Sequence, residues 1–363
     1  MKLLLATVGS VILLAGCAST IPPETPAPPT PVSARDAAID LECADMVPVD
    51  DLRALWGEEI FPAAYSEAGA AGSWEMQATA LVQDGTLACA WATPDSSRPK
   101  LLVLAMDDAA EGFEESEPSF LSGDIFAYTA TGLGERSSAF CRDDSADAGI
   151  QCHWNVLADS TWLSFFFQAL PQNEVTSDGQ VVVDGEAGAI VTAATEAVAS
   201  APRITVERAT STLPRCEAVI TPATVGDVLG VDASEVRVES GRPVGESLGK
   251  STPLFGQVMW AYSYARLGYS ECAFGSTDVS GAVIVAPGAS WILDDPDAVQ
   301  PALVEVADLG AGINDCTEGQ GRVLCTVAVA VDSDLVLVQV APTSAEEGSE
   351  QALGLVRAVL ATG

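Results

Sequence analysis

Positive charge is scarce in this chain. Three lysines and thirteen arginines stand against 51 acidic residues, for a formal net charge of −35. Such a surface repels phosphate backbones and anionic headgroups, so nucleic acid is excluded as a partner and no basic patch can hold a membrane. Histidine is scarcer still. His153 is the only one, and a catalytic role would need a nucleophile and an orienting carboxylate that no motif supplies. Thr326 stands at the equivalent place later in the chain, and a solvent-facing strand position is expected for both. Gly288-Ala289-Ser290-Trp291 lacks the closing glycine of a nucleophile elbow. Gly132 and Gly134, like Gly310 and Gly312, complete no phosphate-cradling loop. Asp143, Ser145 and Asp147 alternate as calcium ligands do, but Ala148 stands where an EF-hand needs glycine and Trp154 where it needs glutamate. A solvated loop is expected there, and Asp294-Asp295-Pro296-Asp297 fits a helix N-terminus. No cofactor, metal or catalysis is expected.

Long apolar runs are also missing. The longest opens the chain, from Leu3 to Ala15 behind Lys2, and about thirteen residues are too few to span ~30 Å of hydrocarbon. The run ends in Leu13-Leu14-Ala15-Gly16-Cys17, a leader with small residues at its cleavage site. Its Leu-Ala-Gly-Cys box resembles a bacterial lipoprotein signal. That resemblance implies cleavage after residue 16, a diacylglyceryl group on Cys17 and residence at the extracytoplasmic face of the cell membrane. Two acyl chains suffice for stable anchoring. The stretch from 17 to 34 is proline-rich, so it cannot join a sheet and reads as an extended tether.

What is abundant is apolar residues, 48% of the chain, enough for real cores and too many for disorder. Nine cysteines are present. With Cys17 lipidated an even set remains for disulfides: Cys43, Cys89, Cys141, Cys152, Cys216, Cys272, Cys316 and Cys325.

The remainder reads as two copies of one pattern, expected at 35–202 and 203–363. Cys43 and Cys216 each precede a helix-ending glycine, Gly57 or Gly230, by the same spacing. Between them lie Val49 to Trp56 and Pro222 to Leu229, with Thr221 as N-cap. Cys89-Ala90-Trp91 matches Cys272-Ala273-Phe274, and apolar strands follow at Leu101–Met106 and Ala282–Ala286. Glycine loops lead to Cys141 and Cys316. Hairpins turn at Asp159-Ser160 and Asp332-Ser333, and an amphipathic helix closes each copy, the second behind a Ser344/Glu347 capping box. The expected class is therefore α+β: two tandem homologous domains, each a twisted antiparallel sheet with helices on one face. Four cysteines per copy allow three connectivities. The preferred one is Cys43–Cys89 and Cys141–Cys152, repeated as Cys216–Cys272 and Cys316–Cys325.

The Cys, short helix, Trp56-Gly57, Cys89-Ala90-Trp91 and Gly132-Leu133-Gly134 series resembles an uncharacterised family of actinobacterial surface lipoproteins. In outline it is similar to extracellular sensor domains of mycobacterial serine/threonine kinases. The second copy departs from it, with Phe274 for tryptophan and Ile313 where the first has Glu135. The resemblance implies a disulfide-stapled fold and a binding or sensing role, without chemistry. A solute-binding lipoprotein of a transporter, or an envelope hydrolase, is the alternative.

Aromatics supply the only sign of a ligand surface. Trp154, Trp162, Phe165, Phe166 and Phe167 crowd the first hairpin, and strand side chains alternate faces. Trp154, Trp162 and Phe166 are the candidate contact residues for a protein or small-molecule partner, internal packing being the other reading. Trp260, Tyr262 and Tyr264 are expected to alternate along a strand in the second copy.

Overall fold

The structure is a computed structural model. It describes residues 37–362, except 64–79, 95–98, 122–128, 145–148, 178, 207, 209, 210, 212, 241–256, 278, 295–303, 307, 320, 321 and 343. The leader, Cys17, the tether and the Ser145/Asp147 loop lie outside the described residues, as does most of the Asp294–Asp297 turn.

Each half builds one seven-stranded sheet. The first uses β1 (Phe61–Ala63), β2 (Leu87–Ala92), β3 (Leu101–Met106), β4 (Thr129–Ala130), β5 (Arg136–Asp144), β6 (Gly149–Ala158) and β7 (Thr161–Leu170). The second uses β8 (Arg237–Ser240), β9 (Ser270–Gly275), β10 (Ser280–Ala286), β11 (Val304–Glu305), β12 (Ala311–Gly319), β13 (Arg322–Val331) and β14 (Asp334–Ala341). Their orders, β1-β2-β3-β7-β6-β5-β4 and β8-β9-β10-β14-β13-β12-β11, match strand for strand, and every pairing is antiparallel. The duplication read from the cysteine spacing is therefore a duplication of topology.

Local chemistry explains the helices. In α1 (Val49–Trp56), Leu52 and Leu55 are buried and Gly57 ends the helix at φ 66°, a left-handed conformation that glycine adopts without penalty. The structure places three further helices at α2 (Ala110–Leu121), α3 (Glu186–Ser200) and α4 (Pro222–Leu229). In α4 the Thr224 amide donates to the Thr221 hydroxyl, Pro222 takes the first turn, and Gly230 caps the end at φ 70°. Two more follow, α5 (Gln257–Leu267) and α6 (Ala345–Leu360), where the Glu347 amide donates to Ser344 Oγ, and single helical turns at Cys43–Met46 and Cys216–Val219 open the two copies. The stretch expected as a strand through Trp260, Tyr262 and Tyr264 is α5. Trp260, Tyr264 and Leu267 follow a helical period and are buried together, and the Trp260 and Tyr264 rings stack at 4.6 Å.

All four disulfides close within their own copies: Cys43–Cys89, Cys141–Cys152, Cys216–Cys272 and Cys316–Cys325. The first of each pair type ties the opening helical turn to the strand next to the edge, β2 or β9. The second joins facing residues of neighbouring strands, with Cα atoms 4.1 and 4.0 Å apart.

Both sheets are apolar on both faces. On the outer face of the first, Trp91, Val103, Trp154, Phe165 and Phe167 pack beneath α3 through Ile190, Val191, Ala194 and Val198. On the outer face of the second, a valine layer (Val283, Val327, Val329, Val336 and Val338) packs beneath α6 through Leu355, Val356 and Val359. The expected helices on one face are present, and the opposite face carries its own cover. There the inner faces of both sheets join a single cluster: Leu104, Met106, Phe113 and Trp162 from the first half, with Met259, Trp260, Tyr264, Ile284 and Leu337 from the second. The described residues of both halves accordingly form one compact unit.

Polar groups fasten this seam. Asp84, with its side chain wholly buried, accepts from Arg208 Nε at 2.8 Å and Ser263 Oγ at 3.0 Å, and Arg266 Nε lies 3.3 Å away. Burial lifts its carboxyl above the usual aspartate range, against the pull of Arg208. Arg266 also donates to the carbonyls of Asp107 and Asp108 at 3.1 and 3.0 Å, and the Tyr269 hydroxyl donates to Gln83 Oε1 at 2.6 Å. Gly112 lies directly against the Tyr262 ring, where an added Cβ would stand 2.5 Å from a ring carbon. Replacing Asp84 by alanine removes the buried acceptor shared by Arg208, Arg266 and Ser263, while Arg266 keeps the Asp107 and Asp108 carbonyls and Arg208 stays partly exposed to water. A loss of about 1–3 kcal/mol is expected in denaturant unfolding, and no measurable cost would refute the role of Asp84 as the fastening.

Candidate functional site

The aromatic hairpin is packing. Trp154 is fully buried in the outer core, edge-on to Phe167 at 5.3 Å. Trp162 is fully buried on the inner face, edge-on to Phe113 of α2 at 5.6 Å, and its Nε1 donates to Asn155 Oδ1 at 3.1 Å. These two are therefore corrected from candidate contact residues to core residues. Phe166 is half-buried on the inner face against the shared cluster. His153 is also not solvent-facing: it is buried, with Phe140 stacked on it at 4.9 Å and Phe166 tilted against it at 4.6 Å. Burial, with Arg142 nearby, holds its imidazole down at about 3.

His153 sits in one cross-strand row of the inner face, Ala63–Ala90–Leu102–Phe166–His153–Phe140. The same row in the second sheet reads Glu239–Ala273–Ala282–Gln339–Thr326–Asp315. Bulky rings in one copy are thus replaced by small and polar groups in the other. Glu239 is exposed and the other five are half-buried, so this end of the inner face is a shallow polar shelf. Gln339 Nε2 lies 3.5 Å from Thr326 Oγ1.

A groove of about 470 Å³ opens at the β8–β9 end of that shelf. One wall is Glu235, Arg237 and Glu239, and the other is Ala273 through Thr277. Period-two alternation builds the first wall. In Glu235-Val236-Arg237-Val238-Glu239 the charged residues are exposed, while Val236 is buried and Val238 packs against the outer core. That alternation is a strand signal legible in the sequence, although Glu235 itself closes a 3-10 turn just before β8. Arg237 between two carboxylates gives the groove both signs of charge, and its volume lies in the range of ligand pockets.

Among the described residues, one cluster has metal-ligand character: Cys216, Glu217 and Cys272. Both sulfurs are committed to a disulfide, so it is not a thiolate site. No helix among the described residues is long and apolar enough to cross a membrane.

No family model matches the sequence, and no curated protein is similar to it. Comparison of structures finds MucB, solved as the "Crystal structure of MucB in complex with MucA(peri)", at 11% identity over 80% of this chain and 84% of that one. Its TM-score is 0.14, a superposition too loose to bear on fold or function.

The His153 environment has a pH consequence. Below pH 6.5 the unfolded imidazole takes up a proton that the folded site refuses until about 3, so stability falls as the pH drops through that window. Each unit contributes up to about 1.4 kcal/mol. His153→Gln should flatten the stability–pH curve between 6.5 and 3 in urea unfolding, and a slope equal to wild type would count against a buried neutral histidine.

Proposed function

We propose that the protein is a lipid-anchored, extracytoplasmic binding protein of the cell envelope, related to actinobacterial surface lipoproteins. The observation that carries the binding role is the two-signed groove at the β8–β9 end of the second sheet. Its counterpart row in the first sheet is filled by Phe166, His153 and Phe140, so the open shelf is a specialisation of one copy. The anchor rests on the Leu-Ala-Gly-Cys box and the proline tether. Four disulfides suit an oxidising compartment outside the cytoplasm. The acidic surface then keeps the body off anionic headgroups while the acyl chains hold it near them.

Anchor and groove are tested separately. Cys17→Ala should move the protein from the membrane to the soluble fraction with an unchanged melting temperature, and retention on the membrane would refute lipidation. A photo-crosslinking residue at Thr277 in the groove should give an adduct in intact cells that Arg237→Ala abolishes. The same probe at Asp50, exposed on α1, should give none. Equal labelling at both positions would remove the groove from consideration.

A further inference from the structure

We infer that residues 37–40 form a strap that locks the linker between the two halves, so that the seam stays shut only while the strap is docked. In sequence the strap follows the proline-rich tether, with Arg35 and Asp36 between them. Its service to a membrane-held body rests on the proposed anchor, whereas its geometry does not.

Three short backbone segments lie side by side here, and the strap is the middle one. The Ala38 amide donates to the Gly85 carbonyl at 2.8 Å, and the Ala38 carbonyl accepts from the Ile204 amide at 2.8 Å. A single residue is thus bonded on one side to the turn that carries Asp84 and on the other to the linker. The Asp40 amide donates to the Pro202 carbonyl at 3.0 Å, and Ile39 pairs with Arg203 in an antiparallel bridge. Packing completes the fit. Ile39 is fully buried in the first outer core. Gly85, at φ 80°, lies so close that an added Cβ would stand 2.7 Å from Val206 and 3.2 Å from the Ala38 nitrogen.

The linker depends on this support. Ile204 is 43% exposed, so its own side chain does little to hold it down. Arg203 fixes the near end through Asp107 Oδ1 at 2.9 Å and the Val198 and Ala201 carbonyls. Farther along, Arg208 donates to Asp84 at 2.8 Å, and Ser211 donates to Asp334 of the second half at 2.6 Å. Both partners of the Asp84–Arg208 contact therefore lean on the strap, the turn through Gly85 and the linker through Ile204. Undocking the strap leaves the Gly85 carbonyl and the Ile204 amide without their partners and loosens both sides of that contact together. A segment held by a short ladder and one buried side chain opens at lower cost than the sheets around it, which suits it to act as the releasable part.

Two variants of the soluble Cys17→Ala chain test the lock by hydrogen exchange read by mass spectrometry. Ala38→Pro removes the amide that Gly85 accepts, and Ile39→Ser removes the buried side chain. Because neither needs a membrane, failure of the strap and failure of the anchor are distinguishable. In both variants the Ile204 amide and the amides of α5, which carries Ser263 and Arg266, should exchange at least tenfold faster. The amides of β13 and β14 beneath α6 should keep the wild-type rate. Faster exchange confined to the strap and residues 202–206, with α5 unchanged, would overturn the lock on the seam. Uniform acceleration that includes β13 and β14 would also overturn it, because the strap would then be ordinary core packing, and so would exchange identical to wild type.

Discussion

Everything in this body depends on the sheets being apolar on both sides. Every residue of β3 is buried, and so is almost all of β6 and β7. A single helix covers one face of a sheet, so the copies could not stand as independent beads with helices on one side only. The second face of each sheet had to be removed from water, and each copy does this for the other, with α2 and α5 in the shared layer. At about 25 cal/mol per Å² of apolar surface, losing that mutual cover would expose the largest rings of the protein, Trp162 and Trp260 among them.

Polar chemistry follows from that burial. Asp84, Ser263, Gln83 and Tyr269 lie where the seam excludes water, so each is tied to a partner across it. His153 is neutral because it lies between rings, and is better described as a flat aromatic spacer than as an acid or base. The second copy spends none of this bulk on the same row and keeps an accessible shelf instead.

Spacing carried the architecture. Equal intervals from cysteine to glycine, the hairpin turns and the closing stripes located α1, α3, α4, α6 and the central strands to within a few residues, because each rests on local chemistry: a left-handed glycine, a capping hydroxyl, a period of two or 3.6. What local pattern could not resolve was which face meets what. Trp260, Tyr262 and Tyr264 satisfy a period of two by chance, while Trp260, Tyr264 and Leu267 satisfy the helical one. The burial of Trp260, Tyr264 and Leu267 together in the shared cluster, with Tyr262 against Gly112 of the other half, distinguishes them. Trp154 and Trp162 looked like surface candidates because the elements covering them, α3 and α2, are distant in sequence.

The seam around Asp84 has one further consequence. Its carboxylate comes from the first half and its guanidinium groups, Arg208 and Arg266, from the second. Two first halves brought together would face acid with acid, and two second halves cation with cation. Repeats fused in one polypeptide are prone to exchanging arms with neighbouring molecules, and here the like-with-like exchange is electrostatically penalised. The join therefore also acts as a key, matching a first half only with a second half.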